Sequence, residues 1–402
     1  MNGSLLGVVF AVMFAAAPLA AQRGAPLATP PAGWDAFTKL FDTNVKSDSI
    51  VGASVIIMRD GRVLAQHEYG MADRTLHQPV NDRTIYHWAS ITKTLTAIAV
   101  MQLRDRGKLS LDDRVTRYIP ELRQVHDPYG SMDSITIRML LSHSAGFQDA
   151  TWLWSKGRPW EPFEPTTWNQ LVAMMPYEQL LFKPGSQYSY SNPGFIYLAR
   201  IIEQLTGDPW EAYIHKNIFM PLGLTHSYFR STPYFLAADR SNNYTVTRDS
   251  TGKLVVHENG RDFDPGITTP NGGWNAPVSD LATYLAFLTN ATHGDASTQR
   301  LYDTVLKRSS LEEMWKPLYS TSTGGYAPGD SVGLSFFITH RGGATIIGHT
   351  GSQAGFLSFM YFNPATSAAV IAAFNTNNET HGGESRGAFD TIRDAAQGLI
   401  EQ

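Results

Sequence analysis

The chain has 402 residues, 43% of them hydrophobic and 17% charged, and a formal net charge of −4. That length suits one large domain or two intimately packed ones, and the slightly acidic balance leaves no basic footprint for nucleic acid and no polybasic membrane patch. The absence of cysteine excludes disulfides, thiolate nucleophiles and cysteine-held metal.

Leu5 to Ala17 is an apolar run too short for a comfortable membrane span. Pro18-Leu19-Ala20-Ala21-Gln22 follows it and resembles a small-residue cleavage site. Residues 1–21 therefore read as a signal peptide, with an uncleaved anchor as the alternative, and the expected location is periplasmic or secreted. No membrane contact is expected beyond that segment. Residues 22–33, rich in Pro, Ala and Gly, read as a linker. Phe37, Leu40, Phe41 and Val45 carry helical spacing over Trp34 to Lys46. Ala53 to Met58 and Val63 to Glu68 read as strands joined at Asp60-Gly61, a hairpin signal. A helix opens near Ser90 and runs through Leu95, Ile98, Met101 and Leu103 to about Gly107.

From about Leu109 to Phe287 short helical patterns are divided by Pro, Gly and Trp, with few convincing strands. Strand patterns return at Gly333 to His340, Ala344 to Gly348, Gly355 to Phe362 and Ala368 to Phe374, before a last helix over Ser385 to Ile400. Short turns between these strands call for an antiparallel sheet. The expected class is α+β: residues 34–108 and 288–402 form an α/β body, an antiparallel sheet flanked by helices, and 109–287 a mostly helical insert. The active site is expected in the cleft between them.

A serine hydroxyl needs a base within hydrogen-bond reach to act as a nucleophile. In Ser90-Ile91-Thr92-Lys93 the i, i+3 spacing brings Ser90 and Lys93 to one helix face. The backbone N–H of a serine at a helix start is free to serve an oxyanion hole, although such a serine can equally do no more than cap its own turn. The pattern recurs at Ser250-Thr251-Gly252-Lys253, where Asp249 and Gly252 mark a hairpin turn and the side chains should face solvent. Tyr190-Ser191-Asn192 reads as a loop before the helix Phe195 to Leu205; its i, i+2 spacing lets Tyr190 and Asn192 face one cleft. His349-Thr350-Gly351 reads as the end of a strand, with Gly351 admitting a close backbone approach by substrate. Tyr361-Phe362-Asn363 and His381-Gly382-Gly383 are short look-alikes in a turn and a polar loop.

In that order, Ser90-Ile91-Thr92-Lys93, Tyr190-Ser191-Asn192 and His349-Thr350-Gly351 resemble the three motifs of class C β-lactamases and related penicillin-recognising serine hydrolases, a group with D-alanyl-D-alanine carboxypeptidases, D-amino acid amidases and β-lactamase-like carboxylesterases. The runs Leu109 to Asp113, Ile135 to Gly146 and Gly272-Gly273-Trp274 ahead of Ser279-Asp280-Leu281 are similar too, so the likeness covers roughly residues 34–400. It implies a β-lactamase/penicillin-binding-protein transpeptidase-like fold. It also implies that Ser90 forms an acyl-enzyme and that Lys93 and Tyr190 share proton transfer. A free phenol titrates near ~10, so Tyr190 is a base only if its surroundings depress that value, and which of the two is the base stays open. Asn192 is implied to bind the substrate's amide carbonyl, His349, Thr350 and Gly351 to line the substrate site, and the backbone N–H groups of Ser90 and Ser352 to form the oxyanion hole. His349 departs from the lysine typical of class C β-lactamases; an ordinary histidine is mostly neutral at pH 7, which argues against efficient β-lactamase activity.

Other signals are weaker. His143 beside Ser144 suggests a catalytic pair or, more simply, a hydrogen-bonded structural histidine. Gly329-Asp330-Ser331-Val332-Gly333 has the letters of a nucleophile elbow but lacks a following helix pattern. Trp152, Trp154, Trp160, Phe163 and Trp168 read as a substrate-facing lid or as packing inside the helical body. No metal, nucleotide or other cofactor motif is present. The expected function is hydrolysis of an amide or ester in a small-molecule or peptide substrate: D-amino acid peptides, β-lactams or carboxylic esters. A non-catalytic penicillin-binding or peptidoglycan-sensing module is the alternative.

Overall fold

A computed structural model describes residues 29–147, 165–292, 294–322, 328–381 and 386–401. The signal-peptide segment, most of the linker and Trp152, Trp154, Trp160 and Phe163 lie outside the described residues. Helix α1 (Trp34–Ser47) precedes strands β1 (Gly52–Arg59), β2 (Arg62–Asp73), β3 (Gln78–Pro79) and β4 (Ile85–Ala89), and α2 (Thr92–Asp105) follows. The middle carries α3 (Ile137–Leu141), α4 (Trp168–Met174), α5 (Asn192–Thr206), β5 (Tyr228–Phe229), β6 (Asn243–Arg248), β7 (Leu254–Gly260) and β8 (Trp274–Pro277). The remaining strands are β9 (Tyr319–Ser320), β10 (Ser331–Val332), β11 (Phe337–Arg341), β12 (Ala344–Gln353), β13 (Phe356–Asn363), β14 (Ala368–Phe374) and β15 (Thr376–Asn378). The helix Ala388–Gly398 comes last.

Nine strands form one antiparallel sheet in the order β3-β2-β1-β14-β13-β12-β11-β10-β9. Its first hairpin turns at Asp60 and Gly61, both in the left-handed region (φ 51° and 70°), the geometry of a two-residue turn that matches strand twist. Side chains of a strand alternate between faces, and here each face meets its own helical layer. Val55, Ile57, Phe359, Val370 and Ala372 pack with Phe37 and Phe41 of α1 and Phe389 and Ile392 of the last helix. Ile56, Met58, Met360, Ile371 and Ala373 belong to the core that holds α2 and α5. Covered on both faces, β1, β13 and β14 are buried almost end to end, so continuous apolar runs replace hydrophobic alternation.

Three expectations change. The middle region is not poor in strands: β4-β8-β5 and β15-β6-β7 are three-stranded sheets that draw on both parts of the chain. β4–β8 and β15–β6 pair across the expected boundaries of the insert, between residues distant in sequence, which local patterning does not reveal, whereas β6–β7 is the hairpin that Asp249 and Gly252 marked. The strand expected over Gly333 to His340 is interrupted, because Gly333 N–H bonds to Phe336 O through a turn with Ser335 at φ 72°. The motif His349-Thr350-Gly351 does not end its strand; β12 continues to Gln353 because all three residues pair with β13. β11 pairs only as far as Gly348, so residues 349–353 project past it.

Among the described residues, one buried carboxyl, Glu178, has no ion-pair partner. Glu178 is 2% exposed and accepts a hydrogen bond from the Tyr197 hydroxyl at 3.2 Å; burial pushes it up to about 8. The neutral acid is thus favoured in the folded state, so its contribution to stability is complete below the unfolded value of ~4.5 and is lost as pH rises through about 8. Glu178→Gln is expected to melt close to the parent at pH 4 and progressively above it between pH 5 and pH 8, as thermal denaturation across that range will read.

Candidate active site

Strand β4 leads directly to Ser90, the expected nucleophile. Paired with β8, it ends at Ala89, whose φ of 48° turns the chain sharply before Ser90. The turn is held by Ile91 N–H on Trp88 O (3.2 Å) and by the Thr92 hydroxyl on Ala89 O (2.6 Å). Trp274 N–H in turn donates to Thr92 Oγ1 at 3.0 Å. Ser90 therefore sits in the turn just before α2, not on its first helical residue, and leaves the cap position to Ile91. Its own carbonyl accepts Lys93 N–H at 3.0 Å, which directs the Lys93 side chain back over Ser90.

Lys93 has no exposed surface. Its Nζ lies 3.1 Å from Ser90 Oγ and donates to Asn271 O at 2.8 Å. The Tyr190 ring centre is 4.9 Å from the same nitrogen and that of Phe195 is 5.7 Å. Asn271, in the short helix Thr269–Gly272, escaped the sequence reading, although it stands directly before the Gly272-Gly273 pair; a lone asparagine says nothing of where its carbonyl points. Its side chain also matters, donating from Nδ2 to Asn192 Oδ1 at 3.3 Å. That contact engages the amide oxygen of Asn192 and not its N–H groups.

Tyr190 and Asn192 lie at the start of α5. Asn192 is its first residue instead of a loop residue, since Ser191 Oγ caps the helix by accepting Gly194 N–H. Tyr190 is 4% exposed and stacks on His143, centroids 4.4 Å apart with planes 23° off parallel. His349 is fully buried, 6.3 Å from the Tyr190 ring and 5.2 Å from Phe337. Its Nδ1 meets Thr350 O at 2.5 Å; the carbonyl can only accept, so the ring proton sits on Nδ1. Burial first, and then the neighbouring Lys93, hold His349 down at about 3, a neutral group at physiological pH.

Burial sorts the expected site residues into two groups. Ser90 and Asn192 are half-buried and Ser352 is exposed, whereas Lys93, Tyr190, His349, Thr350 and Gly351 are buried. Solvent reaches the first three; the others lie beneath as a floor. Gly351 does admit a close approach, but by the protein itself: a Cβ there would stand 2.2 Å from Trp88 O and 2.4 Å from Ser358 Oγ. This contact presses β12 against the turn that holds Ser90 and sets Ser352 at its edge.

The look-alikes fall away from this cluster. Ser250 and Lys253 are exposed in the β6–β7 turn. Ser331 lies in a strand followed by another strand. Ser144 bonds to Ser142 Oγ at 3.0 Å, while His143 Nδ1 accepts from Ser191 N–H at 3.0 Å, so those two do not form a catalytic pair. His381 binds Asp48, and Tyr361 is buried in β13.

The Beta-lactamase family model matches residues 37–395. The chain belongs to the Beta-lactamase family. Its members are serine hydrolases that include β-lactamases, amidases and esterases. Esterase EstB of Burkholderia gladioli is 33% identical over 198 residues, covering 46% of this chain and 48% of that protein. Protein flp of Staphylococcus aureus (strain COL) is 24% identical over 342 residues, or 85% of this chain, which spans 62% of the length of flp. Among solved structures, the octameric penicillin-binding protein homologue from Pyrococcus abyssi aligns with a TM-score of 0.71 at 25% identity, covering 91% of this chain and 77% of that one.

The Gly351 contact supplies a test of how the floor is assembled. Gly351→Ala should destabilise the protein by about 1–3 kcal/mol in a urea titration, the usual range for overpacking. It should also slow covalent labelling of Ser90 by a fluorophosphonate, because β12 must retreat from the Trp88 carbonyl.

Proposed function

We propose that this chain is a serine hydrolase that cleaves an ester or amide through an acyl-enzyme on Ser90. The observation that carries the reading is the 3.1 Å contact between Lys93 Nζ and Ser90 Oγ at a point where Ser90 alone of the pair meets solvent. Lys93 takes the hydroxyl proton as Ser90 Oγ attacks the substrate carbonyl carbon. Asn271 O fixes the amine during the transfer, and Tyr190, beneath it, relays the proton to the leaving group. The N–H groups of Ser90 and Ser352 receive the oxyanion. Loss of the alcohol or amine leaves the acyl-enzyme, which water then hydrolyses, freeing the acid and Ser90.

Neutral substrates suit this floor. His349, held at about 3, supplies no cation for a substrate carboxylate, and the resemblance to a protein named an esterase points the same way. Uncharged carboxylic esters are therefore the proposed substrates ahead of β-lactams and carboxylate-ended D-amino acid peptides. Export from the cytoplasm, through the apolar N-terminal segment, accompanies this proposal.

A fluorophosphonate adduct should map to the Ser90 peptide and vanish in Ser90→Ala. Lys93→Met should slow labelling by about 10²-fold or more, the range of general-base contributions. Purified protein should turn over p-nitrophenyl acetate faster than nitrocefin or a D-Ala-D-Ala peptide. Labelling at another serine, or turnover unchanged in Ser90→Ala, would overturn the assignment; stoichiometric labelling without turnover would favour a sensing module.

A further inference from the structure

We propose that His143 is a positioning residue for Tyr190, fixing the register of the Tyr190-Ser191-Asn192 segment and the plane of the tyrosine ring beneath Lys93. The inference rests on the role of Tyr190 proposed above and assigns to His143 neither proton transfer nor contact with substrate.

His143 follows α3 in a left-handed turn, with φ 54° and 1% exposure. It grips the segment twice. Its carbonyl accepts Ser189 N–H at 2.8 Å, and its Nδ1 accepts Ser191 N–H at 3.0 Å. The two anchors flank Tyr190, so the segment cannot slide by a residue without losing both. Between them the imidazole lies on the Tyr190 ring at 4.4 Å and 23°, while Phe195 supports it at 5.1 Å. One rigid group thereby sets both where the phenol lies along the chain and how its ring is tilted under the amine.

The tautomer follows from the same contact. A backbone N–H only donates, so Nδ1 must carry a lone pair and the ring proton must sit on Nε2. A doubly protonated ring would set N–H against N–H and release Ser191. The groups around the ring are Lys93 from α2, His349 from β12, and Tyr188 and Tyr190 from the segment before α5. Burial first, and then the neighbouring Lys93, hold His143 well below its ordinary value, which keeps the accepting form in place. His143 Nε2 is buried without a hydrogen-bond partner among the described residues. An apolar ring would fill the same space without that cost, which leaves the Nδ1 acceptor as the feature that only a histidine supplies together with a stacking plane.

Two substitutions separate these parts. His143→Phe keeps a stacking ring and removes the acceptor; His143→Asn keeps an acceptor near the Nδ1 position and removes the ring. They are compared with Tyr190→Phe by the rate of fluorophosphonate labelling at Ser90, by kcat and KM for p-nitrophenyl acetate from pH 5 to pH 10, and by thermal midpoint. His143→Phe is expected to lose about 100-fold in kcat with KM within about threefold, and to shift the alkaline limb of the pH profile, a readout that a space-filling role would leave in place. His143→Asn should recover at least about tenfold of that loss. Parent-like kcat and pH profile in His143→Phe overturn the inference, as does a loss in both variants that only tracks their unfolded fraction. If His143→Phe does not fold, the asparagine variant decides: kcat within about tenfold of the parent supports the inference, and a loss equal to that of Tyr190→Phe overturns it. Tyr190→Phe with parent activity would instead remove the role proposed for Tyr190, a result distinct from failure of His143 alone.

Discussion

An amine with no exposed surface has lost its water and must be satisfied by the protein around it. Lys93 is in that position, and the architecture of the site follows from how its needs are met. Asn271 O accepts from it, Ser90 Oγ stands within reach, and the rings of Tyr190 and Phe195 close the remaining sides. Three stretches of chain meet there: Ser90 to Lys93 at the start of α2, the short helix Thr269–Gly272 that supplies the carbonyl, and the start of α5 with the aromatic rings. Segments distant in sequence are thus joined at one amine.

The same crowding controls the charge of the neighbours. His143 and His349 both lie near Lys93, and both are held neutral first by burial and then by that amine. Two neutral imidazoles can share a dry pocket with an amine where two cations could not. A histidine in the third motif therefore changes more than a side-chain type. It exchanges a permanent cation for a neutral ring whose proton points back at Thr350 O.

Much of the fold was legible because it rests on local patterns. The β1–β2 hairpin is written in Asp60-Gly61 between apolar runs, α1 in the spacing of Phe37, Phe41 and Val45, and β14 in an unbroken apolar stretch. Beyond the β6–β7 hairpin, marked by Asp249 and Gly252, the small sheets were not legible, since β4 pairs with β8 nearly two hundred residues away and short strands carry almost no periodicity of their own. Ser90, Lys93, Tyr190 and Asn192 were legible as motifs. Asn271 was not, because its contribution to Lys93 is a backbone carbonyl, and every residue has one.

The sequence by itself determined the chemical parts: a serine and a lysine one helical turn apart, a tyrosine and an asparagine two residues apart, and a histidine where a lysine is commoner. Spacing along the chain suffices there, since the constraint is the geometry of one helix or one extended segment. Tertiary structure decided what those parts face. It left Ser90, Asn192 and Ser352 open to solvent and placed His349, Thr350 and Gly351 beneath them. It pressed Gly351 onto the Trp88 carbonyl instead of leaving it to a substrate. It also joined His143 to Tyr190 by a stack and a backbone hydrogen bond. Burial and neutrality are properties of the assembled cluster, set by groups far apart in sequence, and a linear pattern cannot encode them.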